Sequence, residues 1–101
     1  MRLKVNGVFF GVEQNEISTS LVLSFKEYMK TIEANKIKMV INDLMDKGKN
    51  EGIYLSSHTT DALNTMHPRN NETAFIMRFK KISERKLLSF VKSCNLDCEI
   101  M

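Results

Sequence analysis

Histidine and cysteine are the side chains of this sequence that could do chemistry near neutral pH, and the chain has two of each. His58 and His67 could act as general acid and base in a nuclease or phosphodiesterase, because an imidazole titrates near neutrality. Thr60, Asp61 or Arg69 would assist them. No catalytic spacing motif surrounds either histidine, and both lie in polar sequence where solvated histidines are common. A histidine-dependent hydrolase is therefore our third hypothesis.

The cysteines, Cys94 and Cys98, could join the two histidines in a Cys₂His₂ zinc site. Cys94 falls on the apolar stripe of a predicted helix and Cys98 on the inward side of a predicted strand, so we interpret both as core thiols. Two cysteines are too few for a disulfide scaffold. Asn6-Gly7 interrupts the apolar run that a signal peptide would need. We expect no metal, no cofactor and a cytoplasmic location.

The N-terminal sequence predicts a β-hairpin that displays an aromatic ring among cations. Asn6-Gly7 separates two β-prone runs and suits a two-residue type I′ turn, in which both positions need a positive φ. The predicted register pairs Val5 with Val8, Lys4 with Phe9, Leu3 with Phe10 and Arg2 with Gly11. Because side chains alternate along a strand, Arg2, Lys4 and Phe9 share one face. The opposite face is apolar and comprises Leu3, Val5, Val8, Phe10 and Val12.

The C-terminal third predicts a strand, a helix and a second strand. The first strand, residues 73–80, directs Phe75, Met77 and Phe79 to one side and Ile76, Arg78 and Lys80 to the other. Ser83 would cap the helix, whose inward side comprises Leu87, Leu88, Val91 and Cys94 and whose outward side includes Arg85. Leu96, Cys98 and Ile100 alternate with Asp97 and Glu99 in the last strand. A crossover of this kind makes the two strands parallel, and Asp97 and Glu99 would then share a face with Arg78 and Lys80.

The middle of the chain has a helical period from residue 18 to residue 48, with a break near Ala34-Asn35. Two apolar stripes point in different directions. The first comprises Leu21, Phe25, Tyr28, Met29 and Ile32, and the second comprises Ile37, Val40, Ile41, Leu44 and Met45. If residues 18–48 form one element, its second stripe, Ile37, Ile41 and Leu44, could be a homodimer interface. Two alternatives stay open: residues 18–25 could be a strand, and so could residues 36–42. Gly48 would stop the helix, and residues 52–57 would form a strand. Residues 60–66 would form a short helix at best, and residues 67–71 would form a loop.

Length and composition predict one domain spanning residues 1–101. The chain is 43% hydrophobic and 27% charged, which excludes disordered and low-complexity classes, and no apolar run approaches a membrane span. The fold we expect is α+β, a small open sandwich with an N-terminal β-hairpin, a C-terminal β-α-β unit and helices mainly on one face of the sheet. The other face would be uncovered.

That uncovered face carries our leading functional hypothesis, a small non-catalytic binding protein that occupies a partner protein's surface as an inhibitor or regulator. The binding residues we expect are Phe9, Lys4, Arg2, Arg78, Lys80 and Arg85. An exposed aromatic ring among cations is typical of interface anchors. The alternative hypothesis is that single-stranded nucleic acid or a nucleotide binds the same face, with Phe9 stacking on a base. Carboxylates on the face, giving mixed charge, favour the protein partner.

The composition also bears on origin and on the balance of charge. The formal net charge is +3, which is mild for a protein that binds duplex DNA. Lys, Asn and Ile are frequent and Ala is rare, a bias typical of AT-rich coding sequences such as those of small phages and other mobile elements. We expect no membrane partner.

Overall fold

The computed structural model describes residues 1–24, 34–63 and 71–101. They form six strands in one antiparallel sheet and two helices, an α+β fold as predicted. The strands are β1 (Arg2–Val5), β2 (Val8–Gln14), β3 (Ser18–Ser24), β4 (Tyr54–Leu63), β5 (Asn71–Lys80) and β6 (Cys98–Ile100). The helices are α1 (Ala34–Asn50) and α2 (Glu84–Ser93). The spatial order of the strands is β4-β5-β3-β2-β1-β6.

The predicted hairpin is confirmed, and its four cross-strand pairs are those expected from the turn. Asn6 has φ 48° and Gly7 has φ 81°, the left-handed backbone that a type I′ turn requires at both positions. Asparagine and glycine tolerate that conformation better than other residues do. The local sequence therefore determines both the turn and the face to which each strand residue points.

Residues 18–24 are a strand, so the helical interpretation of this segment was wrong and the alternative of a third strand is confirmed. The segment alternates between inward Thr19, Leu21 and Leu23 and outward serines and valine. Strand β3 lies in the middle of the sheet, where β2 and β5 both pair with it along most of its length. The pattern of these seven residues fits a helix as well as a strand. Hydrogen bonding to strands on both sides decides in favour of the strand.

Helix α1 spans Ala34–Asn50, and the predicted break near Ala34-Asn35 stays a prediction because residues 25–33 lie outside the described residues. The first apolar stripe, beyond Leu21, falls in residues 25–33 and lies outside the described residues. In the second stripe Ile37, Val40 and Leu44 are buried in the core beneath the sheet. The condition for a homodimer interface, one element over residues 18–48, is not met because residues 18–24 are a strand, and Ile37 and Leu44 pack in the core. The strand alternative for residues 36–42 was wrong.

Strand β4 continues to Leu63, so the short helix expected from residue 60 was wrong for residues 60–63. Its pairing with β5 extends in register as far as Leu63 opposite Asn71, and this long ladder stabilises the extended backbone. The remainder of that prediction, residues 64–66, and most of the predicted loop, residues 67–70, lie outside the described residues.

The C-terminal strand, helix and strand are confirmed, with Ser83 as the cap: its hydroxyl accepts a hydrogen bond from the Lys86 amide at 3.2 Å. Strands β5 and β6 run in the same direction, as the crossover predicts. They are not neighbours, however, because β3, β2 and β1 lie between them. Strand β6 pairs with β1 instead, with Glu99 opposite Lys4.

Both helices pack against the same face of the sheet, which we call the inner face. It comprises Leu3, Val5, Val8, Phe10, Val12, Thr19, Leu21, Leu23, Phe75, Met77 and Phe79. Helix α2 contributes Leu87, Phe90 and Val91 to the core beneath it. The opposite, outer face comprises Arg2, Lys4, Phe9, Gly11, Glu13, Ser18, Ser20, Val22, Ser56, His58, Ile76, Arg78, Lys80 and Glu99. Neither α1 nor α2 lies on it.

Two glycines at the end of α1 have different physical roles. Gly48, predicted to stop the helix, lies inside it instead; a Cβ there would come within 2.9 Å of the Phe79 ring and 3.2 Å of the Tyr54 Cβ. The helix ends at Asn50 and is terminated by Gly52, which has φ 70° and donates its amide to the Lys49 carbonyl, while Ile53 donates to the Gly48 carbonyl. These paired bonds form a Schellman motif, which needs left-handed backbone at Gly52.

We expect Gly48→Ala to destabilise the protein by about 1–3 kcal/mol, because the added methyl overpacks the contact with Phe79. Gly52→Ala meets no atom and should cost about 1 kcal/mol through its positive φ alone. Urea unfolding of both variants measures the two costs. A more stable Gly48→Ala protein, the result that helix propensity alone predicts, would contradict the close packing of α1 on the sheet.

Asn6 joins the hairpin turn to the segment just before β6. Its amide donates to the Asp97 carbonyl at 2.9 Å, and its side-chain Oδ1 accepts from the Asp97 amide at 2.8 Å. The same residue supplies the first positive φ of the turn. This reciprocal pair therefore positions the short edge strand β6 beside β1.

Two substitutions at Asn6 separate these roles. Asn6→Gly keeps the turn and loses the side-chain bond, at a cost of about 0.5–1.5 kcal/mol in unfolding free energy. Asn6→Ala loses the side-chain bond and also strains the turn, because alanine resists the left-handed conformation. It should lower the unfolding free energy by about 1 kcal/mol more than Asn6→Gly does. Chemical denaturation gives the two values, and equal stability of the two variants would argue against the turn assignment.

Candidate binding face of the sheet

The pairing of the strands determines which predicted site residues meet on the outer face. Lys4 lies opposite Phe9, and Arg2 lies opposite Gly11 on the same strand pair. Arg78 follows in the next part of the sheet, where it lies between Ser20 of β3 and Ser56 of β4. Lys80 lies opposite Ser18 at the end of β5. Five of the six predicted binding residues thus belong to one face.

Phe9 is the aromatic centre of the first cluster. The Arg2 guanidinium carbon lies 5.8 Å from the centre of the Phe9 ring, and the Lys4 Nζ lies 5.5 Å from it. Both distances are within the range of cation–π attraction. The ring is half-buried, so part of it remains open to a partner. The hairpin positions all three residues, because it sets Lys4 directly across from Phe9 and Arg2 diagonally.

Arg78 is the centre of the second cluster and is surrounded by small hydroxyl side chains. Its guanidinium donates to the Ser18 hydroxyl at 3.5 Å, and that hydroxyl also donates to the Asn15 side chain at 3.1 Å. Ser18 and Ser20 are buried beneath their larger neighbours. The guanidinium therefore extends along the face toward Ser18.

The two clusters do not meet. Arg78 is aligned through Ser20 with Glu13 of β2, which is four residues along that strand from Phe9. With a rise of about 3.3 Å per residue and a strand spacing of about 4.8 Å, the two positions are about 16 Å apart on the face. The predicted single basic and aromatic surface is thus divided into two separate cationic groups.

Apolar residues occupy the space between the two clusters. Gly11, Val22 and Ile76 are aligned across β2, β3 and β5, and all three are half-buried. Val22 was absent from the predicted site because its segment was interpreted as a helix. The alternation of residues 18–24 was the signal that could have placed it here.

Carboxylates complete the outer face. Glu99 lies opposite Lys4 on β6, and Glu13 lies opposite Ser20 on β2, and both are exposed. Glu99 does share the face with Arg78, as predicted, but it lies beside the first cluster because β6 pairs with β1. Asp97 precedes β6. A depression of about 540 Å³ adjoins this corner and is lined by Lys4, Asn6, Gly7, Lys36, Asp97 and Glu99.

Arg85 lies apart from the other predicted binding residues. It is exposed on α2, and that helix packs against the inner face. The thickness of the sheet therefore separates Arg85 from Phe9. His58 belongs to the outer face, where it is exposed opposite Ile76. His67 lies outside the described residues, so the predicted histidine pair stays a prediction.

The two cysteines pack against the core as half-buried free thiols, in agreement with the sequence interpretation. The Cys94 thiol donates to the Phe90 carbonyl, with Sγ 3.4 Å from the oxygen. Burial raises the pKa of both thiols above the ordinary value of a cysteine, although Lys47 partly opposes the shift at Cys94 and Lys92 at Cys98. In the described ranges no group of three or more His, Cys, Asp or Glu side chains is arranged to hold a metal ion.

Raised thiol pKa values predict slow alkylation of the native protein. As the pH rises through the ordinary thiol pKa, the unfolded chain loses its thiol protons before the native chain does, so the free energy of unfolding should fall. We expect iodoacetamide to label Cys94 and Cys98 more slowly in the folded protein at pH 8 than in urea. Intact-mass time courses measure the two rates, with a cysteine-containing peptide as the control. Equal rates would refute the shifted pKa values.

Comparisons with known proteins leave the site to be interpreted from its own geometry. No family model, no curated protein and no solved structure gives a significant match to the chain. Within the described ranges, neither helix is long and apolar enough to cross a membrane.

Proposed function

We propose that the protein is a non-catalytic binding protein that acts as an inhibitor or regulator by occupying the surface of a partner protein with its outer face. The observation that carries this proposal is the half-exposed Phe9 ring, held between Arg2 and Lys4 beside an apolar strip. Aromatic and arginine side chains dominate the binding energy of protein interfaces.

The layout of the face matches the anatomy of such an interface. Gly11, Val22 and Ile76 supply an apolar centre. Charged side chains surround it: Arg2, Lys4, Arg78 and Lys80 are basic, and Glu13 and Glu99 are acidic. An apolar centre with a polar rim is typical of protein–protein interfaces, and a rim of mixed sign can pair with a partner's charges in one orientation.

Phe9 would fill an apolar pocket of the partner, and Lys4 and Arg2 would guide its approach. The small size of the chain and its Lys-, Asn- and Ile-rich composition agree with the regulators that phages and other mobile elements encode. Such a regulator acts by covering a surface that another molecule needs, so it requires no catalytic group of its own.

The alternative function, binding of single-stranded nucleic acid or a nucleotide, has one observation in its favour. Two cations beside an accessible aromatic ring could hold a phosphate while a base stacks on Phe9. Two observations weigh against it. Arg78 lies about 16 Å from Phe9 across an apolar strip, which breaks a continuous phosphate track. Glu99 and Glu13 would also repel the backbone.

Site-specific crosslinking tests the proposal. A photoreactive amino acid at position 22 should crosslink a partner in cells of the source organism, and Phe9→Ala should reduce that product at least about tenfold, as expected for an interface anchor. Lys4→Glu should slow association. Met39→Ala is the matched control, because Met39 is equally apolar and 65% exposed but lies on α1. Circular dichroism of each variant verifies folding.

Native mass spectrometry before and after nuclease treatment distinguishes the two functions. A protein binder should give only the mass of the chain, as a monomer or a dimer, whereas the alternative predicts co-purified nucleotide that the nuclease removes. Anisotropy with a fluorescent oligothymidine adds the salt dependence, which is steep and log-linear when phosphates are bound. A crosslinked partner that Phe9→Ala retains, or a bound oligonucleotide with steep salt dependence, would refute binding of a protein through this face.

A further inference from the structure

We propose that two copies of the chain associate through strand β4 and form a continuous antiparallel sheet across a twofold axis. In the described ranges β4 has one neighbour, β5, so its other edge presents main-chain amide and carbonyl groups along ten residues. Strand β6, at the opposite end of the sheet, has three residues. The long edge is the one able to support strand addition.

Strand β4 has few of the features that keep edge strands apart: one irregularity at its Tyr54 end and one carboxylate, Asp61. Natural edges are protected by lysine, proline, short length or bulges. The strand contains no lysine, arginine or proline, and its irregularity is confined to the Tyr54–Ser56 end. Leu55, His58 and Thr59 are exposed there. A second strand could therefore approach without placing like charges together.

The occupant that this edge fits is a second copy of itself. The sequence is symmetric in character about His58, with two serines before it and two threonines after it. An antiparallel pair centred on His58 sets Ser57 of each copy opposite Thr59 of the other. Cross-strand hydroxyl pairs of this kind stabilise sheets. A twofold axis at the centre also makes the contact self-complementary.

Such a dimer would be a twelve-stranded sheet whose two outer faces lie side by side. The axis runs perpendicular to the sheet, so both faces point to the same side. Each Phe9 is on the fourth strand from the junction, which separates the two rings by seven strand spacings, about 34 Å. The dimer does not depend on the proposed function, because Phe9 lies three strands from the contact.

A charge-swap experiment at position 58 tests the dimer. Sedimentation velocity over a wide micromolar range should show reversible dimerisation of the wild-type chain. His58→Lys and His58→Glu each set like charges opposite one another and should raise the dissociation constant at least about tenfold. An equimolar mixture of the two variants should restore the dimer, because each pair then has opposite charges. Met39→Lys adds the same charge to α1 and should leave dimerisation unchanged.

Three results would overturn the inference: a wild-type chain that stays monomeric at every concentration, a dimer that both His58 variants retain, or variants whose mixture fails to associate. Phe9→Ala should dimerise like the wild type, which separates a failure of this contact from a failure of the outer face as a binding surface. Circular dichroism ensures that loss of association does not reflect unfolding.

Discussion

The packing of the Phe79 ring against β4 and both helices is the constraint on which the rest of the structure depends. Its ring lies on the inner face and packs edge to face with Tyr54, at a centroid distance of 6.1 Å, and with Phe90, at 5.4 Å. Gly48 of α1 lies against the same ring. One fully buried side chain thus contacts β4 and both helices, so the absence of a side chain at Gly48 determines how closely α1 can approach.

This arrangement explains why the two faces of the sheet differ. Because α1 and α2 both pack on the inner face, the aliphatic and aromatic residues of five strands and two helices form a single core there. The outer face has no such cover in the described part of the chain, and its residues are mainly half-buried or exposed. An open face retains an aromatic ring and an apolar strip only at a cost in solvation, which association with a partner would remove.

The outer face and the β4 edge are independent features, and both are suited to non-covalent association with another molecule. The face offers side chains with an apolar centre and a mixed rim, whereas the edge offers main-chain hydrogen bonds and hydroxyl groups. Neither needs a cofactor or a nucleophile, and the two half-buried thiols belong to the core. Both proposals therefore concern recognition, through side chains on the outer face and through main-chain groups at the β4 edge.

The sequence alone determined the features that depend on neighbouring residues: the Asn6-Gly7 turn and its register, the alternation of β5, the Ser83 cap, and the membership of Phe9, Lys4 and Arg2 in one face. These follow from local backbone preferences and the two-residue period of a strand. Tertiary structure decided whether residues 18–24 would be helix or strand, because partners on both sides were needed to choose between patterns that fit equally well. It also decided the order of the strands, which separated Arg78 from Phe9 and placed Glu99 beside Lys4. Such pairings join residues distant in the chain, and their free energy depends on the packing of the whole sheet rather than on any local signal.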